Sequence, residues 1–371
     1  MNGNIVKIES EETLFKIVSS LIENSRKHIA KTISATTVST YYEIGHYVVE
    51  YEQQGCLRAS YGKQVVKNLS DRLTKQYGRG WSVATLTNCR KFYVAYKKSD
   101  AMHTISASAN SVCNAPEIQK FSLSWNHYQV LMRIDDLAER NFYEIEAQKQ
   151  NWDYRWLKRQ VASSLYERIA LSRDKSEVFK LALEGQTVEK TSDIIKSPIS
   201  LEFVGLKPDE SYSESKLENA IISKIQKFLL EMGKGFLFEA RQKRFTFDED
   251  NYYVDLVLYN RLLQCYVLID LKIDKLTHQD LGQMQMYVNY FDRYVKQDFE
   301  KPTIGILLCK EKNDALVELT LPKDANVYAA AYQLYLPDKA LLQAKVKEWI
   351  EEFEENEEIK KLPQFGIRNS S

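Results

Sequence analysis

Asp255 and Asp270 each interrupt a run of β-branched and aromatic residues, Tyr252–Tyr259 and Cys265–Lys272. Asp is depleted in strands and seldom buried without a partner, so one carboxylate in each run calls for a chemical reason. Pairing Asp255 with Asp270 leaves Leu262 and Leu263 as a two-residue connection, a common hairpin length. That register sets the carboxylates side by side. It also puts Lys272 on the same face two residues on, because side chains alternate along a strand. Two acids and a lysine converging in this way can hold Mg²⁺ and activate water, the chemistry of a metal-dependent phosphodiesterase.

An acid-x-Lys triplet alone carries little weight in a chain with 27% charged residues. Its surroundings carry more. Asp270 follows four consecutive strand residues, lies one hairpin from Asp255, and precedes a helix from Thr277 to about Val295. Gln283 and Tyr287, four residues apart, share one face of that helix. Upstream, Ser213 or Ser215 starts a helix with Leu217, Ile221, Ile225 and Phe228 as its apolar stripe, ended by Gly233-Lys234-Gly235. Strands are expected at Phe236–Arg241, Tyr252–Tyr259, Cys265–Lys272, Thr303–Cys309 and near Val327–Ala331, with helix again after Asp338. This order predicts an α/β domain with a central mixed sheet flanked by helices.

The preceding half reads as helical. Tyr61, Val65, Leu69 and Leu73 recur at helical spacing up to Tyr77-Gly78. Gly78-Arg79-Gly80-Trp81-Ser82 then leads into a second helix from Val83 to about Tyr96, with Ser82 as N-cap. Helix, short glycine turn, helix is a helix-turn-helix outline. Its second helix carries Arg90 and Lys91, and its turn Arg79, all able to touch phosphates. Between Leu57 and Lys98 there are ten basic residues and one acid, Asp71. The formal net charge of zero therefore hides a basic end and an acidic one, since Glu348 to Glu358 are crowded with glutamate. A basic run is commonly just a solvated face, but this one lies within the helix-turn-helix outline, which favours contact with a DNA backbone.

A chain of 371 residues is too long for one ordinary core. The expected division is a helical domain at 11–183 with a loop at 99–115, a linker at 184–212, an α/β domain at 213–345 and an acidic tail at 346–371. Five cysteines without a Cys-x-x-Cys pair argue against a disulfide framework or a zinc site. No apolar leader or membrane-length run is present, so a cytoplasmic protein without membrane contact is expected.

The spacing Asp255-x14-Asp270-x-Lys272 resembles the PD-(D/E)XK nuclease superfamily, with Val254 where the superfamily's name places proline. Arg241 through Tyr290, with Leu-Ile-Asp-Leu-Lys and Gly-Gln-Met-Gln-Met-Tyr, resembles the YhcG-type branch, as does Ile306–Asp314. Tyr42-Glu43-Ile44-Gly45, Tyr61-Gly62-Lys63, Gly78-Arg79-Gly80 and Arg90-Lys91-Phe92-Tyr93 are similar to that branch's helical, DNA-binding N-terminal domain. The resemblance implies a restriction-endonuclease-like fold and Mg²⁺, with Mn²⁺ as an alternative, held by Asp255, Asp270 and the Leu271 carbonyl. It implies that Lys272 orients or deprotonates the attacking water, and that Gln283 and Tyr287 position Lys272, water or phosphate. Glu218 matches the family's helical acid and is a further metal ligand, although Ser215-x-x-Glu218 also reads as a capping box.

Arg241, Lys243 and Arg244 beside the site are placed to contact the cut strand, while a solvated strand edge explains them almost as well. His278 reads as a local hydrogen-bonding residue. The function expected is Mg²⁺-dependent cleavage of duplex or branched DNA with no small-molecule cofactor, and the resemblance further implies a homodimer and a role in repair, recombination or defence against foreign DNA. The alternatives are a DNA-binding scaffold on a degenerate nuclease fold and a transcriptional regulator. The sequence leaves RNA open as a substrate.

Overall fold

The structure is a computed structural model describing residues 10–54, 59–103, 121–172, 175–196, 198–207, 211–322 and 324–348. The chain divides into two compact units between Leu157 and Lys158. Among the described residues, no helix is long and apolar enough to cross a membrane.

The first unit is helical: α1 (Glu11–Gln54), α2 (Ala59–Tyr77), α3 (Val83–His103), α4 (Trp125–Leu131), α5 (Leu137–Lys149) and the start of α6 (Tyr154–Ala162). Gly78 (φ +83°) stops α2, and Ser82 Oγ accepts from the Thr85 N–H at 3.2 Å to start α3. Helix α3 runs on to His103, past the Ser99 where a loop was expected. The remainder of that expected loop, 104–115, lies outside the described residues. Helices α1 and α3 pack so closely that a Cβ on Gly45 would lie 2.1 Å from the Cys89 carbonyl oxygen. Beside that crossing, Tyr42, Phe92, Tyr96, Phe121 and Tyr128 form an aromatic core with ring centroids 4.9–5.9 Å apart. The Tyr96 and Tyr128 hydroxyls both donate to the Glu144 carboxylate, each at 3.0 Å, so the core's polar tips are paired.

The second unit is built on a six-stranded mixed sheet in the order β1-β6-β5-β4-β3-β2. The strands are β1 (Ile199–Ser200), β2 (Phe236–Phe247), β3 (Asp250–Asn260), β4 (Cys265–Lys275), β5 (Ile304–Glu311) and β6 (Val327–Gln333). Strands β2, β3 and β4 are antiparallel neighbours; β4, β5, β6 and β1 run parallel. On one face, Val267, Ile269, Leu271, Ile306 and Leu308 pack under α9 (Glu214–Ser223) and α10 (Ile225–Met232). On the other, Leu268, Leu307 and Cys309 pack under α11 (His278–Tyr294), with α12 (Asp314–Thr320) beside it. The continuous apolar run of β5 is what burial on both faces requires.

Several expectations need correction. The helix after Ser213 is two helices, broken at Lys224 (φ −126°, ψ 29°). The hairpin between β3 and β4 closes through four residues, Arg261–Gln264, rather than two. Asn260 is the reason: its Oδ1 accepts from the Leu262 and Leu263 N–H groups, turning the chain one residue earlier. The register is unchanged by the wider turn, with Leu256 opposite Ile269. Residues 184–212, expected as a linker, include a 3-10 turn at Thr191–Ile194 and β1, which pairs with β6. Residues 158–183, expected with the helical domain, belong to the second unit, including α7 (Leu165–Ala170) and α8 (Lys175–Glu184).

An ion network holds α6 and α7 in this unit. Glu231, fully buried on α10, pairs with Arg168 and, at 2.5 Å, with Arg159, which also pairs with Glu202 at 2.9 Å. Burial alone would push the Glu231 carboxyl up, but Arg168, Arg159 and Lys196 pull it down to about 2. Replacing Glu231 by Gln strips two buried guanidinium groups of their shared charge. The expected cost is about 3–5 kcal/mol, read as a fall in Tm that leaves the circular dichroism of the surviving folded protein unchanged.

Candidate active site

The ladder between β3 and β4 stops at Leu256 and Ile269. Beyond that pair β3 continues against β2 alone and β4 against β5 alone. Asp255 and Asp270 are the next residue on each strand, at the point where the strands part. The Leu271 N–H, which no longer has a β3 carbonyl to meet, donates to Asp255 Oδ2 at 2.8 Å. Alternation along β4 sends Asp270 and Lys272 to the α11 face, and Lys272 Nζ lies 2.8 Å from Asp270 Oδ2.

Asp270 is 5% exposed. Burial and the neighbouring Asp255 carboxylate push its carboxyl up to about 7, against the pull of Lys272. Burial opposes the Lys272 charge, but Asp270 above all, with Glu214 and Asp280, holds the ammonium well above its usual range. On α11, Gln283 Nε2 donates to the Tyr287 hydroxyl at 2.6 Å. Tyr287 is pushed up to about 12 by burial and then by Asp270, which places the Gln283–Tyr287 pair in the field of the two acids.

Glu218 is buried on α9. The N-cap of that helix is Ser213, whose Oγ accepts from the Lys216 N–H, so Ser215 forms no capping box and Glu218 is left to the site. Gln242 Nε2 joins Glu218 to the strand acids, donating to Glu218 Oε2 at 2.8 Å and Asp255 Oδ1 at 2.9 Å. Arg241 Nε lies 3.0 Å from Glu218 Oε1, an ion pair not aligned as a hydrogen bond.

Sequence reasoning missed two members of the site. Gln242 has φ +45°, a conformation costly for a residue with a side chain, and no local pattern announces it. Asp280 did leave a signal, the Thr277-x-x-Asp280 capping box: Asp280 Oδ2 accepts from the Thr277 N–H at 2.8 Å while Oδ1 lies 3.7 Å from Lys272 Nζ.

The other expected contact residues are spread out. Arg244 donates to Asn251 Oδ1 at 3.0 Å, and Lys243 is exposed on β2. In the first unit Arg79 and Lys91 are exposed, and Arg90 pairs with Glu52 at 2.7 Å.

Among the described residues, no three His, Cys, Asp or Glu side chains form a ready-made metal cage. The donors present still fit a hard divalent cation: they are carboxylate oxygens, one of them too poorly compensated to ionise at its usual pH. The Gln242 amide meanwhile presents its positive end to two of the acids.

A mixed sheet with helices on both faces, bearing two strand carboxylates and a lysine where its central ladder parts, has the layout of the restriction-endonuclease-like class. Residues 192–347 match the YhcG PDDEXK nuclease domain, and residues 17–168 match the DUF1016 N-terminal domain. The chain is 34% identical over 338 residues to the protein named "Putative nuclease YhcG" of Escherichia coli K12, across 87% of this chain and 90% of that one. The crystal structure of a repair endonuclease from Pyrococcus abyssi aligns with 35% of this chain and 50% of its own, at 19% identity and a TM-score of 0.24. The chain belongs to the YhcG family of PDDEXK nucleases.

The raised Asp270 pKa has a consequence for stability. A carboxyl whose folded pKa exceeds its unfolded value stabilises the fold at low pH, and that contribution is lost as pH rises through the folded value. In EDTA, Asp270→Asn should therefore melt higher than wild type at pH 8. The difference should shrink toward pH 4, with an upper limit of about 4 kcal/mol. Melting curves from pH 4 to pH 8 check both the sign and the window, and a pH-independent difference would contradict the assignment.

Proposed function

We propose that this chain is a divalent-metal-dependent endonuclease that hydrolyses phosphodiester bonds in DNA. The observation that carries this reading is the placing of Asp255 and Asp270 side by side just beyond the last β3–β4 pair, with Lys272 held 2.8 Å from Asp270. Asp255, Asp270, the Leu271 carbonyl and Glu218 would hold Mg²⁺ or Mn²⁺, which would supply Lewis-acid activation of water and offset phosphate charge.

Lys272, kept protonated by Asp270 and Asp280, suits orienting water and stabilising negative charge better than taking up a proton. Gln283 and Tyr287 offer a hydrogen-bonded pair to position it or a phosphate oxygen. Lys243 and Arg244, with Arg241 once it leaves Glu218, lie on β2 where a strand backbone would pass. The helical domain would hold the DNA through Arg79, Lys91 and Arg90, the last exchanging Glu52 for a phosphate. Repair, recombination or defence against foreign DNA would use such an activity.

The test is cleavage of labelled linear, nicked, forked and four-way DNA with Mg²⁺, Mn²⁺ or EDTA, with Asp270→Asn alongside. Metal-dependent cutting should fall at least about 1,000-fold in the variant, about 4 kcal/mol of transition-state stabilisation. Binding in EDTA should change by less than about threefold. Binding without cutting by wild type on every substrate would instead identify a scaffold.

We also propose a homodimer formed along α1. Phe15, Ile22 and Ile29 repeat every seven residues, with Val18, Leu21 and Ile33 on the same side, and all six are 43–67% exposed. Covering roughly 100 Å² of each would bury about 600 Å² per copy and about 1,200 Å² in the pair, the lower end of a stable interface. A seven-residue apolar repeat on a long helix is self-complementary, which makes a second copy the fitting occupant. Sedimentation should show a dimer at micromolar concentration, and Ile22→Glu with Ile29→Glu should yield a helical monomer. A monomeric wild type would overturn the proposal.

A further inference from the structure

A second concavity lies one side chain away from the candidate active site. It is a groove of about 350 Å³ between the end of β2, α11 and Thr320–Pro322. Its inner wall is Tyr290, stacked on buried Phe245 with centroids 4.0 Å apart and planes at 21°. Phe245 in turn stands edge-on to Tyr287, centroids 5.5 Å apart, so one ring separates the groove from the Gln283–Tyr287 pair. Two further rings at its rim, Phe247 on β2 and Tyr294 on α11, are 51% and 63% exposed.

The polar groups of the groove are the second observation. Gln285 Nε2 donates to Asn289 Oδ1 at 3.0 Å, while Gln285 Oε1 is buried and accepts no hydrogen bond among the described residues. The Gln285–Asn289 amide pair lines the α11 side of the groove. Arg293 adds a cation at the same groove. Aromatic faces, an amide pair and a guanidinium together fit a planar base followed by a phosphate. An apolar ligand would make no use of the Arg293 guanidinium, and a bare anion would have no use for the rings. The volume is at the lower end of small-ligand sites and suits one base rather than a long segment.

We propose that this groove holds an unpaired nucleobase of the DNA strand that enters the active site, making the enzyme selective for forks, flaps or junctions over continuous duplex. The proposal rests on the nucleic-acid reading given above and adds the class of substrate. Within a paired duplex a base has its Watson–Crick edge occupied and both faces stacked, so it cannot enter a ring-lined groove. At a fork one strand supplies a free edge and an open face without any cost of unpairing.

The test uses the full-length protein in EDTA, so that binding is read without cleavage. Probes are a forked DNA with 2-aminopurine at successive unpaired positions near the junction and a fully paired duplex of the same length. Stacking in the groove should quench the fluorophore at one or two positions on the fork. Tyr294→Ala and Gln285→Leu should each weaken fork binding about 5- to 150-fold, the range expected for loss of one base contact. Duplex binding should change less than twofold. Tyr294→Phe, which keeps the ring, should retain fork affinity and show that the alanine effect is not a folding defect. Equal losses on fork and duplex, or no loss on either, would overturn the proposal. Cleavage by wild type without position-specific quenching would reject the groove and leave the nuclease reading intact. Quenching by a protein that cuts nothing would do the reverse.

Discussion

The parting of β3 from β4 after Leu256 and Ile269 is the constraint on which the rest of the second unit turns. A backbone N–H at a broken ladder must find another acceptor, and Leu271 finds it in the Asp255 carboxylate. That bond fixes Asp255 beside Asp270 at the edge of a dry interior. Burial then makes Asp270 reluctant to ionise and leaves an unmet demand for positive charge. Lys272 meets part of it at Asp270, while Arg241 and the Gln242 amide serve the neighbouring acids Glu218 and Asp255. The divalent cation proposed above would meet it more fully.

Around this opening the fold is organised to keep the strands where they are. Apolar side chains on both faces of β4 and β5 lock the parallel half of the sheet between α9–α10 and α11. Buried Glu231, held by Arg159 and Arg168, ties α10 to the helices that precede the sheet. Part of the DUF1016 match, residues 158–168, is thus structurally part of the nuclease unit. A nuclease fragment beginning at the family match at residue 192 would leave Glu231 buried without either arginine.

Much of the site was legible because strands encode their faces by parity. Asp270 and Lys272 had to share a face, and the apolar runs around them named their own strands. The pairing register was legible as well, although its turn was not. Asn260 takes over two backbone N–H groups and widens the loop without shifting the ladder, a local competition that periodicity does not display. Glu218 carried an ambiguity that only helix geometry resolved, since Ser213 and Ser215 are equally good caps on paper and the chain uses Ser213.

The amino-acid sequence by itself determined the mixed sheet, the helices on its two faces and the carboxylate–lysine set, because hydrophobic period and residue type act over a few neighbouring positions. Tertiary structure alone decided what those residues meet. It brought Gln242, in a left-handed conformation, between acids 24 residues and 13 residues away along the chain. It set Gln285 and Arg293 in a ring-lined groove beside the site. It also joined Arg168 to Glu231 across 63 residues. These are pairings between distant segments, settled by which surfaces pack together, and no local pattern of residues records them.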